Sequence, residues 1–212
     1  ILLDSGAYSA FTQNEIINVD DYITFCHTVK DKVKLIAGLD DVKDPEISKN
    51  NFDKMQKAGL DIMPTYHIYE PYSYLEHYIK NANYIAIGGL VANVKGSMKT
   101  NKRKRLNSIL DILDRIPKDK NVHLFGLTDM QILHRVYDKV TSVDSTRTDQ
   151  RSVYTRSYRL SGMIGEAKHK KDKNHSAKID REEVKPIWKY SIFRWLQAEK
   201  EINEYGSINC PK

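Results

Sequence analysis

Three carboxylates stand where short apolar runs give out. Asp4 follows Ile1-Leu2-Leu3, Asp40 closes a run that ends Gly38-Leu39-Asp40-Asp41, and Asp144 follows Thr141-Ser142-Val143. Other runs end in Thr65-Tyr66-His67, in Gly88-Gly89-Leu90 and in Gly126, and Tyr8 lies just beyond Asp4. Carboxylates gathered at one mouth can serve general acid–base chemistry, or attack an electrophilic carbon and hold a covalent intermediate. Each residue also has a bland role. A strand-end Asp often caps the next helix, Gly88-Gly89 is what a tight turn at positive φ asks for, and a single histidine is more often a satisfied structural residue than a catalyst. Gly88-Gly89 equally suits close backbone approach to a flat ligand. Three carboxylates together with Tyr8 and His67 favour the chemical reading.

The elements that must position these residues alternate in type. Apolar, strand-like runs occupy 1–4, 33–40, 62–66, 84–87, 122–125 and 140–144. Between them, helix-like spacing predicts helices over 20–29, 45–58, 72–81, 105–116 and 129–137. In 20–29, Tyr22, Phe25 and Val29 recur at helical spacing with Cys26 on the same face. Such alternation argues for βαβ units and a parallel sheet, and largely apolar strands fit a sheet covered by helices. Folds of this kind bind ligands at the carboxyl ends of their strands, where the singled-out residues fall.

Composition sets outer limits. A chain of 212 residues with 40% hydrophobic and 29% charged residues is enough for one sizeable core, or two small ones, and too apolar for a mainly disordered chain. No apolar run is long enough for a membrane-spanning helix. Cys26 and Cys210 are the only cysteines, which excludes a disulfide scaffold and a Cys-rich zinc module and suits a reducing compartment. Without a GxGxxG, P-loop or HExxH pattern, neither a nucleotide cofactor nor a metal is expected. Lys plus Arg number 34 against 28 Asp plus Glu, for a net charge of +6, which permits phosphate contacts without demanding them. The first residues read as a buried strand and not as a signal peptide, so the expectation is a trimmed chain whose earliest elements are missing.

Beyond 146 the character changes. Residues 146–180 are rich in Arg, Lys, Ser and Thr, and 168–173 is a dense basic run, read either as a solvated loop or as a phosphate-contacting segment. Residues 180–205 look helical again, with Val184, Trp188, Ile192, Trp195 and Leu196 forming a stripe that reads as core, and Pro186 in the first turn.

Several of these segments are similar to one family. Asp4-Ser5-Gly6-Ala7-Tyr8 resembles the DSGG-aromatic motif of the tRNA-guanine transglycosylases, the queuine tRNA-ribosyltransferases. Ile85-Ala86-Ile87-Gly88-Gly89-Leu90 resembles their AIGGL segment. Phe125-Gly126-Leu127-Thr128 and the later Val143-Asp144-Ser145-Thr146-Arg147 resemble their MGVG stretch and FDC-x-PTR motif. The order is the same, and the resemblance covers about residues 1–160.

The resemblance implies an α/β fold, a TIM-type (β/α)8 barrel lacking its first βα units in this chain. It implies exchange of guanine for a 7-deazaguanine base in DNA or tRNA. Asp144 then matches the nucleophile that attacks C1′, and Asp4 the second catalytic Asp that handles the proton. Tyr8 matches an aromatic that stacks on the base, Asp40 a carboxylate that reads its N–H edge, and Gly88, Gly89 and Leu90 a backbone segment that reads its carbonyl. His67 lies near a family glutamine position. The family's CxCxxC…His zinc site has no counterpart here, so no zinc is expected. Ser9, where the family has Gln, and the Ser145-Thr146 wording are closer to the divergent DNA-modifying relatives of phages and genomic islands. That implies the cytoplasm of a bacterial host or phage-infected cell. The partners implied are nucleic acid and a free 7-deazaguanine, with the oligomeric state left open. Arg147, Arg151, Arg156, Arg159, Lys170 and Lys171 would supply a basic groove, and Tyr154 and Tyr158 would stack on an extruded base.

The expected organisation is a barrel portion over 1–160, a basic loop over 161–180 and a C-terminal helix over 181–212 that packs on the barrel. Two other functions stand beside base exchange. One is a non-catalytic barrel that binds nucleic acid or a deazaguanine, which would have no need of both Asp4 and Asp144. The other is an unrelated hydrolase or aldolase-type barrel, which would want a metal cluster or a strand-end lysine.

Overall fold

Strand–helix alternation carries through the described residues up to Val143. The structure, a computed structural model, describes residues 1–90, 102–127, 130–144 and 200. The chain divides into two compact units, Ile1–Phe125 with Lys139–Val143, and Gly126–Asp138 with Asp144–Lys212.

Among its described residues the first unit contains six strands: β1 (Leu2–Leu3), β2 (Leu35–Ile36), β3 (Thr65–His67), β4 (Tyr84–Gly88), β5 (Asn121–Leu124) and β6 (Ser142–Val143). Every pairing is parallel, and strand order follows chain order. β1 pairs with β2, and β3 to β6 pair in sequence. A parallel bridge between Ala37 and Met63 joins the two sets, flanked by bonds from Gly38 N–H to Met63 O (2.8 Å) and from Met63 N–H to Ile36 O (2.8 Å). The strand order therefore never reverses among these six, unlike the doubly wound sheets that bind ligands at a reversal point.

Register separates two faces, because side chains alternate along each strand. One row across the sheet reads Tyr66, Ile87, Leu124, Val143, all apolar. The adjacent row, on the opposite face, reads Thr65, Ala86, His123, Ser142. On this second face Ala37, Met63 and Ala86 form a buried cluster with Leu2, Tyr84 and Phe125 against it. Three of its polar side chains meet one another, while the buried Thr65 hydroxyl has no hydrogen-bond partner among the described residues. Ser142 Oγ lies 2.8 Å from both Tyr84 Oη and His123 Nδ1.

The connecting helices start where their side chains say they should. α2 (Val19–Val29) is capped by Asn18, whose Oδ1 accepts from Asp20 N–H at 2.8 Å, and two acidic residues occupy its first turn. α3 (Pro45–Lys57) has Asp44 as cap and Pro45 in its first turn. α4 (Tyr72–Asn81) and α5 (Lys102–Arg115) bury Leu75, Tyr78, Ile109 and Ile112. Two details differ from the sequence pattern. In α2 the buried stripe is Tyr22 and Cys26, while Phe25 is half exposed. The Tyr22 hydroxyl donates to Ala37 O at 2.9 Å, which aims that stripe inward and turns Phe25 outward. A helix that the spacing does not indicate, α1 (Ala7–Gln13), follows β1 directly.

The second unit includes α6 (Met130–Val136), which buries Ile132, Leu133 and Val136. No helix among the described residues is long and apolar enough to cross a membrane.

Candidate active site

Asp40 and His67 lie at the ends of neighbouring strands, and their side chains meet. His67 Nε2 is 3.1 Å from Asp40 Oδ2. Its other ring nitrogen, Nδ1, is 2.7 Å from Glu70 Oε1. All three side chains are largely buried, Asp40 at 13% exposure, His67 at 6% and Glu70 at 2%. Burial alone would lower the His67 pKa, but hydrogen bonds to Asp40 and Glu70 outweigh it and raise it to about 9. The histidine is therefore charged at neutral pH and clamped by two carboxylates.

Asp40 is not a helix cap. That work falls to its neighbours. Asp41 Oδ1 accepts from Lys43 N–H (2.7 Å) and Asp44 N–H (2.9 Å), and Asp44 Oδ1 accepts from Glu46 N–H (2.9 Å). Ser48 ties the turn together, its Oγ accepting from Asp41 N–H at 2.8 Å. Asp40 is thus left for His67.

The glycines take their places for two distinct reasons. A Cβ at Gly88 would stand 2.8 Å from both His67 Cδ2 and Thr65 Cγ2, so the close approach that position 88 permits is that of the His67 ring. Gly89 has φ +73°, in the left-handed region, and a Cβ there would meet Tyr69 Cε1 at 2.9 Å. The Tyr69 ring in turn stacks on His67, centroids 5.5 Å apart and planes 12° apart, and its hydroxyl donates to Val42 O at 2.8 Å. Burial, with Glu70, Asp40 and Asp41 nearby, pushes the Tyr69 phenol up to about 12. Leu90 is buried and its carbonyl accepts from Arg105 at 3.3 Å.

Asp4 follows β1 and is exposed, with one long contact from Gly6 N–H at 3.4 Å. Gly6, at φ 74°, starts α1 in place of a side-chain cap. Tyr8, in the first turn of α1, is 44% exposed. Asp4 and Asp40 share one neighbour, Tyr22, whose phenol burial raises first and Cys26 and these two carboxylates raise further.

Asp144 directly follows β6 in the chain and belongs to the second unit. Its Oδ1 accepts from Gly126 N–H at 2.6 Å, in the same unit. Gly126 has φ 67°, so a left-handed turn aims that N–H. The carboxylate is thereby tied to a backbone donor.

The first unit brings Asp40, His67, Gly88 and Gly89 together and adds Glu70 and Tyr69, which no sequence motif marks. Arg147, Arg151, Arg156, Arg159, Lys170, Lys171, Tyr154 and Tyr158 lie outside the described residues, as do the basic run and the stripe from Val184 to Leu196. Among the described residues, no group of His, Cys, Asp and Glu could hold a metal ion. No protein-family model matches the chain, and no curated protein matches it either.

Proposed function

We propose that this chain exchanges guanine for a 7-deazaguanine base in nucleic acid, on a sheet that is an arc of a (β/α)8 barrel. One observation carries the reading. Asp40 leaves helix capping to Asp41 and Asp44 and stands at a strand end, held beside a buried, charged histidine. A carboxylate so held is suited to a base edge that offers two N–H donors, because charge-assisted hydrogen bonds are shorter and stronger than neutral ones. Strand order that follows chain order supports the barrel, in which helices follow strands around one ring.

The chemistry divides between two further carboxylates. Asp144 attacks C1′ of the nucleotide, and the electron pair of the C1′–N9 bond leaves with guanine, which takes a proton from Asp4. The Asp144–glycosyl ester then receives the incoming base. N9 of that base bonds to C1′, its proton passes to Asp4, and the Asp144 carboxylate is released. Bonds broken and formed match, so the exchange needs no net oxidant or hydrolysis. The bond from Gly126 N–H to Asp144 Oδ1, at 2.6 Å, orients the carboxylate for attack. The basic segments past 146 would contact phosphates, in the cytoplasm of a bacterial or phage-infected cell.

The test uses the full chain, guanine-containing DNA or tRNA, and radiolabelled guanine. Label should enter one of the two polymers, and Asp144→Asn should reduce incorporation to background. Nucleic-acid or deazaguanine binding with no incorporation by the unaltered chain would instead favour a binding module and end the enzyme reading.

A further inference from the structure

Both nitrogens of the His67 ring face carboxylate oxygens, at 3.1 Å and 2.7 Å. An uncharged imidazole has one N–H and one lone pair. A neutral ring would therefore point a lone pair at an anion on one side. Both carboxylates act as acceptors from the ring only when both nitrogens donate.

Glu70 is built into this arrangement. The turn after β3 closes with Glu70 N–H donating to His67 O at 2.9 Å, and the Tyr66 hydroxyl donates to Glu70 O at 2.6 Å. These bonds aim the Glu70 side chain back at His67. Glu70 Oε2 is buried and has no hydrogen-bond partner among the described residues, so the Oε1 contact to His67 is what holds this carboxyl in place. The charged groups that face His67 are Asp40, from the end of β2, and Glu70, from its own turn. β4 presents only Gly88 to the ring, and Tyr69 covers one ring face. Two carboxylates against one imidazolium leave one negative charge. Asp40 is the most exposed of the three, and Oδ2 is the oxygen held by His67.

We propose that Glu70 is a positioning residue which, through His67, fixes the orientation and charge of Asp40 as the reader of the N–H edge of a guanine-type base. The inference rests on the base-exchange reading. Without Glu70 the ring can lose its Nδ1 proton, flip and release Asp40. With Glu70 in place the ring is locked as a double donor, and the excess negative charge is expressed at Asp40.

The test compares the full chain with Glu70→Gln, which keeps the shape and removes the charge. Nitrogen NMR of the histidine rings reports the protonation of His67, and titration with free guanine reports binding, each from pH 6 to pH 9. In the unaltered chain both His67 nitrogens should carry protons at pH 7.5. In Glu70→Gln the His67 titration should fall by about 1 pH unit or more. Guanine binding should weaken roughly twofold at pH 8 and roughly fivefold at pH 9, as the protonated fraction of the ring falls, and recover at pH 6, where the ring recharges. A merely structural role would give no such recovery. Should Glu70→Gln fail to fold, His67→Gln keeps a donor toward Asp40 and should make guanine binding independent of pH over the same range. Equal guanine affinity in Glu70→Gln at every pH, or a neutral His67 at pH 7.5 in the unaltered chain, would overturn this role and leave base exchange standing. A charged His67 with neither guanine binding nor label exchange in the unaltered chain would overturn the base-exchange reading, and this role with it.

Discussion

Position 88 tolerates no side chain because a histidine lies over it. A methyl group there would stand 2.8 Å from carbons of both Thr65 and His67, and 3.1 Å from His67 Nε2, the atom that meets Asp40. Gly88→Ala should therefore lower stability by about 1–3 kcal/mol, the usual cost of overpacking a tight site. It should also weaken guanine binding through displacement of the ring. Urea unfolding reads the first effect, and an unchanged midpoint would mean that β3 yields without cost. The residues of this site are unevenly legible in the sequence. Asp40, His67 and Gly88 can be found because each closes an apolar run. Glu70 cannot, because a His-x-x-Glu spacing has no meaning until a turn folds it back. Asp4 and Asp144 are legible as strand-end carboxylates in the same way. Their surroundings, an exposed start of α1 and a bond from Gly126 N–H, depend on left-handed glycines that a sequence does not announce.

Two of the helices that are legible in the sequence, α2 and α3, begin on side-chain caps. Asp44 accepts from Glu46 N–H at 2.9 Å and from Ile47 N–H at 3.3 Å, in front of a proline. Asp44→Ala should cost about 0.5–2 kcal/mol, as cap removals do, measured by urea unfolding. A larger loss would mean that the whole turn from Asp41 to Ser48 depends on the cap. The same signals explain which elements can be read from sequence. α2 and α3 carry Asn18 and Asp44 at their starts, and α4 spans the residues that its spacing predicts. α1 is hidden because it is seven residues long, with Gly6 and no capping side chain at its start. Apolar runs locate the strands, but the paired segments of β1, β2, β3 and β6 are shorter, since a run such as 33–40 continues past its ladder into the turn that holds Asp40.

At the scale of the whole molecule, the buried imidazolium ties folding to pH. His67 is raised from 6.5 to about 9, so the folded state holds its proton where the unfolded chain has released it. The resulting stability is fully present below about pH 6.5 and is lost as pH rises through about 9. Integrated over that window it is on the order of 3 kcal/mol. Urea midpoints measured from pH 6 to pH 9.5 should fall in this window, and the decline should be smaller in Glu70→Gln. A flat profile would mean that His67 is neutral in the folded protein.

The unreversed order of the strands bears on how the sheet is made. Each strand finds its neighbour in the one that precedes it, across a single connecting segment. Contact order along the sheet is therefore kept low for a parallel fold, whose pairings otherwise require distant segments to meet before any reward is gained. A chain of this design can assemble while it is being synthesised, each newly emerged unit docking on the edge left by the one before. The row Thr65, Ala86, His123, Ser142 takes one residue from each successive strand, so each docking strand can extend it.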